Sequence, residues 1–199
     1  GRRWRATALV QTSAMDCGPA ALRSLLGGHG IDVSYGRLRE ACQTDVDGTS
    51  IDVLEEVAGQ LGLDAEQVLV PVDHVLRGES KCLPALAVVL HPDGLTHFVV
   101  IWSRRGSWVQ VMDPAVGRRW MKADALEATL YRHRMPVPEA AWREWAGGQD
   151  ALATFKARLD GLGLDRAEVA RRIARATADP GWRGLGALDA ATRLAERMV

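Results

Sequence analysis

Apolar residues recur at helical spacing as far as Leu61 and then, from Ala65 onward, fall into short β-prone runs, and this one change of period sets the fold class. Leu22, Leu25 and Leu26 mark a first helix that Gly27-Gly28-His29-Gly30 stops. Leu38, Ala41 and Cys42 share a face of a second, with Ser34 placed to cap it. Asp47-Gly48-Thr49-Ser50 reads as a turn and cap, and Ile51, Leu54, Val57, Ala58 and Leu61 mark an amphipathic third helix closed by Gly62. Beyond it, Val68-Leu69-Val70, Ala85 to Leu90, His97 to Trp102 and Trp108 to Met112 are separated by Gly, Pro and Asp turns and read as an antiparallel sheet. Trp120, after the turn-like Gly117-Arg118-Arg119, begins one more edge strand. Helices first and strands second predict an α+β domain rather than a doubly wound parallel sheet.

The texture changes again past Arg134. Met135-Pro136-Val137-Pro138 reads as a stiff linker, followed by Trp142, Trp145 and a helical run in which Asp165 caps Arg166 to Ala178. Leu185, Leu188, Ala191, Thr192 and Ala195 predict a last helix after Pro180-Gly181. The expected division is residues 1–134 as one domain and 135–199 as a helical extension, or a linker to a part the chain lacks. A start at Gly1 rather than Met, after which Gly1 to Leu9 forms an arm, and an end in helical character at Val199 fit a piece of something longer.

With 25 basic and 25 acidic residues the net charge is zero, which offers no footprint for nucleic acid. Cys17, Cys42 and Cys82 are odd in number and far apart, so neither a disulfide framework nor a zinc knuckle is expected, and a reducing, cytoplasmic setting fits best. Cys42 reads as core. The longest apolar run, Leu83 to Leu90, is too short for a bilayer, which needs about 20 residues. His29, His74, His91 and His133 lack partners at metal-ligand spacing and read as surface or turn residues, so no metal or cofactor is expected.

Chemistry concentrates in Gln11-Thr12-Ser13-Ala14-Met15-Asp16-Cys17-Gly18-Pro19. Pro19 suits the first turn of a helix, so Cys17 sits at its mouth, where free N–H groups and the helix dipole favour thiolate over thiol. A lone cysteine there is commonly a small core residue, and only partners change that reading. His97 begins one strand and Asp113 ends its hairpin neighbour, so the two come close and supply an imidazole with an orienting carboxylate. Alone, His97 is also a satisfied core histidine, Asp113-Pro114 a turn and Gln11 a solvated amide. Their joint occurrence in this order favours nucleophilic catalysis.

These blocks resemble the double-glycine leader peptidase domain, peptidase family C39, found at the N-terminus of bacterial ABC exporters that process and secrete bacteriocins and other ribosomal peptides. The resemblance runs through Gln11, Asp16-Cys17-Gly18, Thr49 to Leu63, Thr96 to Val100 and Val111 to Ala115, and covers roughly residues 5 to 134. It implies a papain-like fold, Cys17 as nucleophile, His97 as base and acid, Asp113 as orienter and Gln11 as oxyanion donor. It further implies cleavage of a helical leader after a double-glycine motif, with transmembrane and ATP-binding exporter parts as partners, at the cytoplasmic face of the membrane. A docking module that holds leaders without cutting them, and a papain-fold acyltransferase, are the alternatives. The tail after about residue 135 has no counterpart in the resemblance, and Gly147-Gly148 there reads as a helix-ending turn.

Overall fold

The computed structural model describes residues 5–46 and 48–198, so the expectations for Gly1 to Trp4, for Asp47 and for Val199 lie outside the described residues. The chain divides into two compact units, Gly1–Leu76 with Cys82–Arg132, and Arg77–Lys81 with His133–Val199.

In the first unit three helices come first: α1 Cys17–Gly28, α2 Tyr35–Ala41 and α3 Ile51–Gln60. Four antiparallel strands follow, β1 Ala85–Leu90, β2 Thr96–Arg105, β3 Trp108–Asp113 and β4 Gly117–Lys122, paired in chain order, and α4 Ala123–Thr129 closes the unit. α1 is the central helix because its surface is apolar or small almost all round. Leu22 and Leu26 face α2 and α3 through Leu38, Cys42, Leu54, Val57 and Ala58. Ala21 meets the sheet at Val100, Trp102 and Met112. The other face of the sheet, with Val99, Ile101, Val109 and Val111, is covered by Leu126 and Leu130 from α4 and its end. Both faces of β2 are therefore buried, which explains why its sequence is a continuous apolar run rather than an alternation.

Gly27 and Gly28 are the last two residues of α1 rather than the turn that stops it; the turn comes at Gly30, with φ +84°. Packing accounts for Gly28, since a β-carbon there would stand 2.2 Å from Cη2 of Trp102. Trp102 occupies the bulge where the β2–β3 register shifts between Ile101 and Ser103.

Val68-Leu69-Val70 is not a strand. Val68 and Leu69 are exposed, and the preceding Gln67 is tied by side-chain bonds to Asp52 and Glu55 of α3 instead of to a neighbouring strand. Gly117–Lys122 supplies the fourth strand, and it begins at Gly117, whose φ of +95° turns the chain back onto β3. Cys42 is core, as its place on the helix predicts, and burial pushes its thiol up to about 11. His74 departs from the surface role expected of it, since it is buried within the short 3-10 turn Val72–His74.

The arm before α1 is threaded into this unit. Ala6 N–H donates to Gln110 Oε1 at 2.9 Å, Arg118 donates to Ala6 O at 2.7 Å, and Ser24 of α1 donates to Thr7 O.

The second unit contains α5 Glu139–Ala146, α6 Gln149–Gly161, α7 Arg166–Ala178 and α8 Arg183–Glu196. Asp165 accepts from Glu168 N–H and caps α7 as the sequence predicts. Gly147 and Gly148 form the junction of α5 and α6. Ala146, Phe155, Ala176 and Leu185 make the core, with Trp142 and Trp145 packed against it. Arg158, fully buried, is neutralised by Asp189 at 2.8 Å, while Arg77 pairs with Glu196 at 2.8 Å. Among the described residues no helix is long and apolar enough to cross a membrane.

Candidate active site

Cys17 opens α1, half-buried, with no acidic residue in the helix's first turn to oppose a thiolate. His97 and Asp113 sit at the adjoining ends of β2 and β3. The pairing of Val100 with Met112, continued by one residue, sets Asp113 opposite Val99, and His97 lies two residues further along on the same face. The diagonal is short enough for a hydrogen bond, and His97 Nε2 stands 2.9 Å from Asp113 Oδ1. Both side chains are buried.

With Nε2 engaged by the carboxylate, Nδ1 is the ring nitrogen left for the Cys17 thiol, which hydrogen-bonds the imidazole. This reverses the ring orientation of a serine triad, in which Nδ1 faces the aspartate. The backbone N–H groups of Phe98 and Gly18 also reach the sulfur.

Electrostatics follow from the geometry. Burial pushes the Cys17 thiol up, but the bond to His97, the Phe98 and Gly18 N–H groups and the imidazolium charge outweigh it, so the thiol is held below its ordinary value. Burial pulls His97 down, and the bonds and charges of Asp113 and Cys17 overcome that and raise it to about 9. Asp113 is lowered against its own burial by His97, the Ala115 N–H and Arg119. The three shifts run together: the bonds within the group favour the charged form of each member, the thiol and the carboxyl being held down and the imidazole held up.

Gln11 arrives by another route. Its backbone N–H donates to Pro114 O at 2.8 Å, which pins it beside the residue after Asp113. Its Nε2 donates to Ala14 O at 3.4 Å, a long contact, and Oε1 is buried with no hydrogen-bond partner among the described residues. Exchanging the two amide atoms would set oxygen against a carbonyl, so the orientation stands. An amide held this loosely is available to a better acceptor.

The site thus brings Cys17, His97 and Asp113 into contact and tethers Gln11 next to them by its backbone. Three contributors were not legible in the sequence. Arg119 Nη2 lies 3.2 Å from Asp113 Oδ2. The Phe98 N–H reaches the sulfur. The His91 ring stands edge-on to His97, centroids 5.2 Å apart. The Ala115 N–H on Asp113 Oδ1, at 2.9 Å, did have a signal, because Asp-Pro-Ala is an Asx-type turn. The turn reading and the orienter reading of Asp113 are both satisfied, one oxygen serving both.

A central helix carrying a cysteine at its mouth, against an antiparallel sheet that presents imidazole and carboxylate, defines a papain-like cysteine peptidase fold. Residues 5–132 match the model of the Peptidase C39 family, and the chain belongs to it. It is 29% identical over 149 residues to the lactococcin-G-processing and transport ATP-binding protein LagD of Lactococcus lactis subsp. lactis, covering 74% of this chain and 21% of that protein. It is 30% identical over 113 residues to the pediocin PA-1 transport/processing ATP-binding protein PedD of Pediococcus acidilactici, covering 57% of this chain and 16% of that one. The chain thus spans about a fifth or less of the length of these relatives. Among solved structures, a double glycine motif protease from an AMS/PCAT transporter, in complex with the leader peptide, shares the fold with TM-score 0.55 at 22% identity, over 65% of this chain and 88% of that one. The peptidase domain of Streptococcus ComA does so with TM-score 0.56 at 22% identity, over 63% and 93%.

Proposed function

We propose that this chain is a cysteine endopeptidase that cuts the leader from a ribosomal precursor peptide after a double-glycine-type motif. We further propose that it acts at the cytoplasmic face of a membrane, beside the transmembrane and ATP-binding parts of an ABC exporter. The observation that carries the reading is His97, bonded on one side to the Cys17 thiol and on the other to Asp113. Relatives named for the processing and transport of lactococcin G and pediocin PA-1 support the substrate class.

In this reading the Cys17 thiolate adds to the scissile carbonyl carbon, and the carbonyl electron pair moves onto oxygen, where the Gln11 amide receives the oxyanion. Collapse re-forms the carbonyl and breaks the C–N bond, and the leaving amine takes the proton from His97. Neutral His97 then removes a proton from a water whose oxygen attacks the thioester. Collapse expels the thiolate and leaves the imidazolium, which restores the starting charge state. Asp113 keeps the ring in the tautomer and plane that both proton transfers need. Residues 135–199 serve, on this proposal, as a helical extension or as the linker to exporter parts.

A thiol bonded to an imidazole that a buried carboxylate holds in turn counts against the docking-only alternative, because binding a leader needs no such arrangement. The test is incubation with a precursor peptide carrying a double-glycine site and with one whose glycines are replaced by valine. Cleavage of the first into two fragments and not of the second is the expected result. An intact peptide would mean docking alone, and a covalent acyl adduct on an added amine would mean transferase chemistry.

A further inference from the structure

The residue directly before the nucleophile, Asp16, has no exposed surface. It occupies the N-cap of α1, where an aspartate ordinarily accepts from the helix's own N–H groups, yet its side chain makes no capping bond. Its backbone, at φ −91° and ψ 10°, is outside the extended region that capping requires. The carboxylate is committed elsewhere. Oδ1 accepts from Arg39 Nε at 2.9 Å, and Oδ2 accepts from Tyr35 OH and Thr12 Oγ1, each at 3.2 Å.

Those donors come from two places. Thr12 belongs to the loop that carries Gln11, whereas Tyr35 opens α2 and Arg39 lies in its last turn. The same loop is held at its start by Gln11 N–H on Pro114 O and within itself by Asp16 N–H on Ser13 O at 3.1 Å. The segment from Gln11 to Cys17 is thus fastened at one end to the Asp113 turn and at the other, through a single buried carboxylate, to α2.

We propose that Asp16 is a positioning residue for catalysis: its carboxylate clamps the Gln11–Cys17 loop onto α2, which sets the sulfur against His97 and keeps Gln11 beside the Asp113 turn. The inference rests on the peptidase reading of Cys17 and His97. A buried carboxylate needs such partners on both oxygens, because losing one leaves desolvated charge.

The test uses Asp16→Asn, Tyr35→Phe, Arg39→Gln and Arg39→Lys in the full chain. Three readouts are taken: melting by circular dichroism, kcat and KM on the double-glycine peptide, and the rate at which iodoacetamide alkylates Cys17 at neutral pH, followed on that residue by mass spectrometry. Tyr35→Phe and Arg39→Gln, whose side chains reach Asp16 from outside the core of α1, should fold and lose about tenfold in kcat. Their KM should stay within about twofold. Alkylation should slow in step, and Arg39→Lys should recover part of the loss. Asp16→Asn should lose about 10²-fold in kcat, the scale of a displaced catalytic group. Folded partner variants with wild-type kcat and wild-type alkylation overturn the proposal, and so does a rise in KM at unchanged kcat. If Asp16→Asn fails to fold, the Tyr35 and Arg39 variants decide alone. A wild-type chain that alkylates but never cuts the peptide defeats the peptidase reading, and the alkylation comparison then still decides the clamp.

Discussion

His97 Nε2 lies 2.9 Å from Asp113 Oδ1, and that single contact fixes which nitrogen of the ring meets Cys17. It also divides the labour between the two partners of the imidazole, because the bond from Cys17 orients the ring as well. Asp113→Asn should therefore cost less than the roughly 10⁴-fold seen when a serine triad loses its aspartate. The asparagine keeps an acceptor for the His97 N–H and for the Ala115 N–H. Steady-state kcat of the folded variant checks this; complete inactivity would mean that the thiolate–imidazolium pair does not form without the carboxylate.

The pH profile follows from the same pair. Cys17 is lowered and His97 raised, so the ion pair persists from the point where the thiol ionises up to about 9, where the imidazolium is lost. The limbs of kcat/KM belong to the pair rather than to either residue. The alkaline limb should fall at about 9 rather than near the 6.5 of an ordinary histidine. Stability carries the same sign: His97 binds its proton more tightly folded than unfolded, so its contribution is full below 6.5 and disappears as pH rises through about 9. An alkaline limb near 6.5 in the rate profile would contradict the ion pair.

Gln11→Ala should lose about 10²-fold to 10³-fold in kcat, since an oxyanion donor meets charge present only in the transition state. Peptide affinity should change little, as the Gln11 backbone bond to Pro114 O does not depend on the side chain. The kinetic constants decide: a change confined to KM would make Gln11 a substrate contact.

Gly28→Ala tests the packing that places the site. The added methyl would stand 2.2 Å from Cη2 and 2.7 Å from Cζ3 of Trp102, a ring buried between α1 and the sheet. Overpacking of this kind costs about 1–3 kcal/mol. The melting temperature should fall while Cys17, at the far end of the helix, keeps its chemistry once folded. An unchanged melting temperature would mean that α1 does not lie against Trp102.

The order of helices and strands was readable because the hydrophobic period changes near Ala65 and returns to helical spacing past Arg134. What the period hid was exposure. Val68-Leu69-Val70 has strand composition but no strand beside it, whereas Gly117–Lys122, largely exposed, is a true edge paired to β3. The seven-residue α4 is held mainly by Leu126 and was too short to give a periodic signal. In the site, Cys17, His97 and Asp113 were legible because each sits at an element terminus that the sequence marks. Arg39, 23 residues from Asp16, and Arg119 on the neighbouring strand were not, because surface arginines gain meaning only from what the fold sets beside them.

The central claim is that Cys17 attacks the peptide, and the most direct measurement compares the wild-type chain with Cys17→Ala on one double-glycine precursor peptide by mass spectrometry. The account predicts that the wild-type chain yields two fragments whose masses sum to that of the precursor plus one water. The alanine variant, folded to the same circular dichroism spectrum and still binding the peptide, should yield none. Cleavage by Cys17→Ala at more than a trace of the wild-type rate would contradict the assignment.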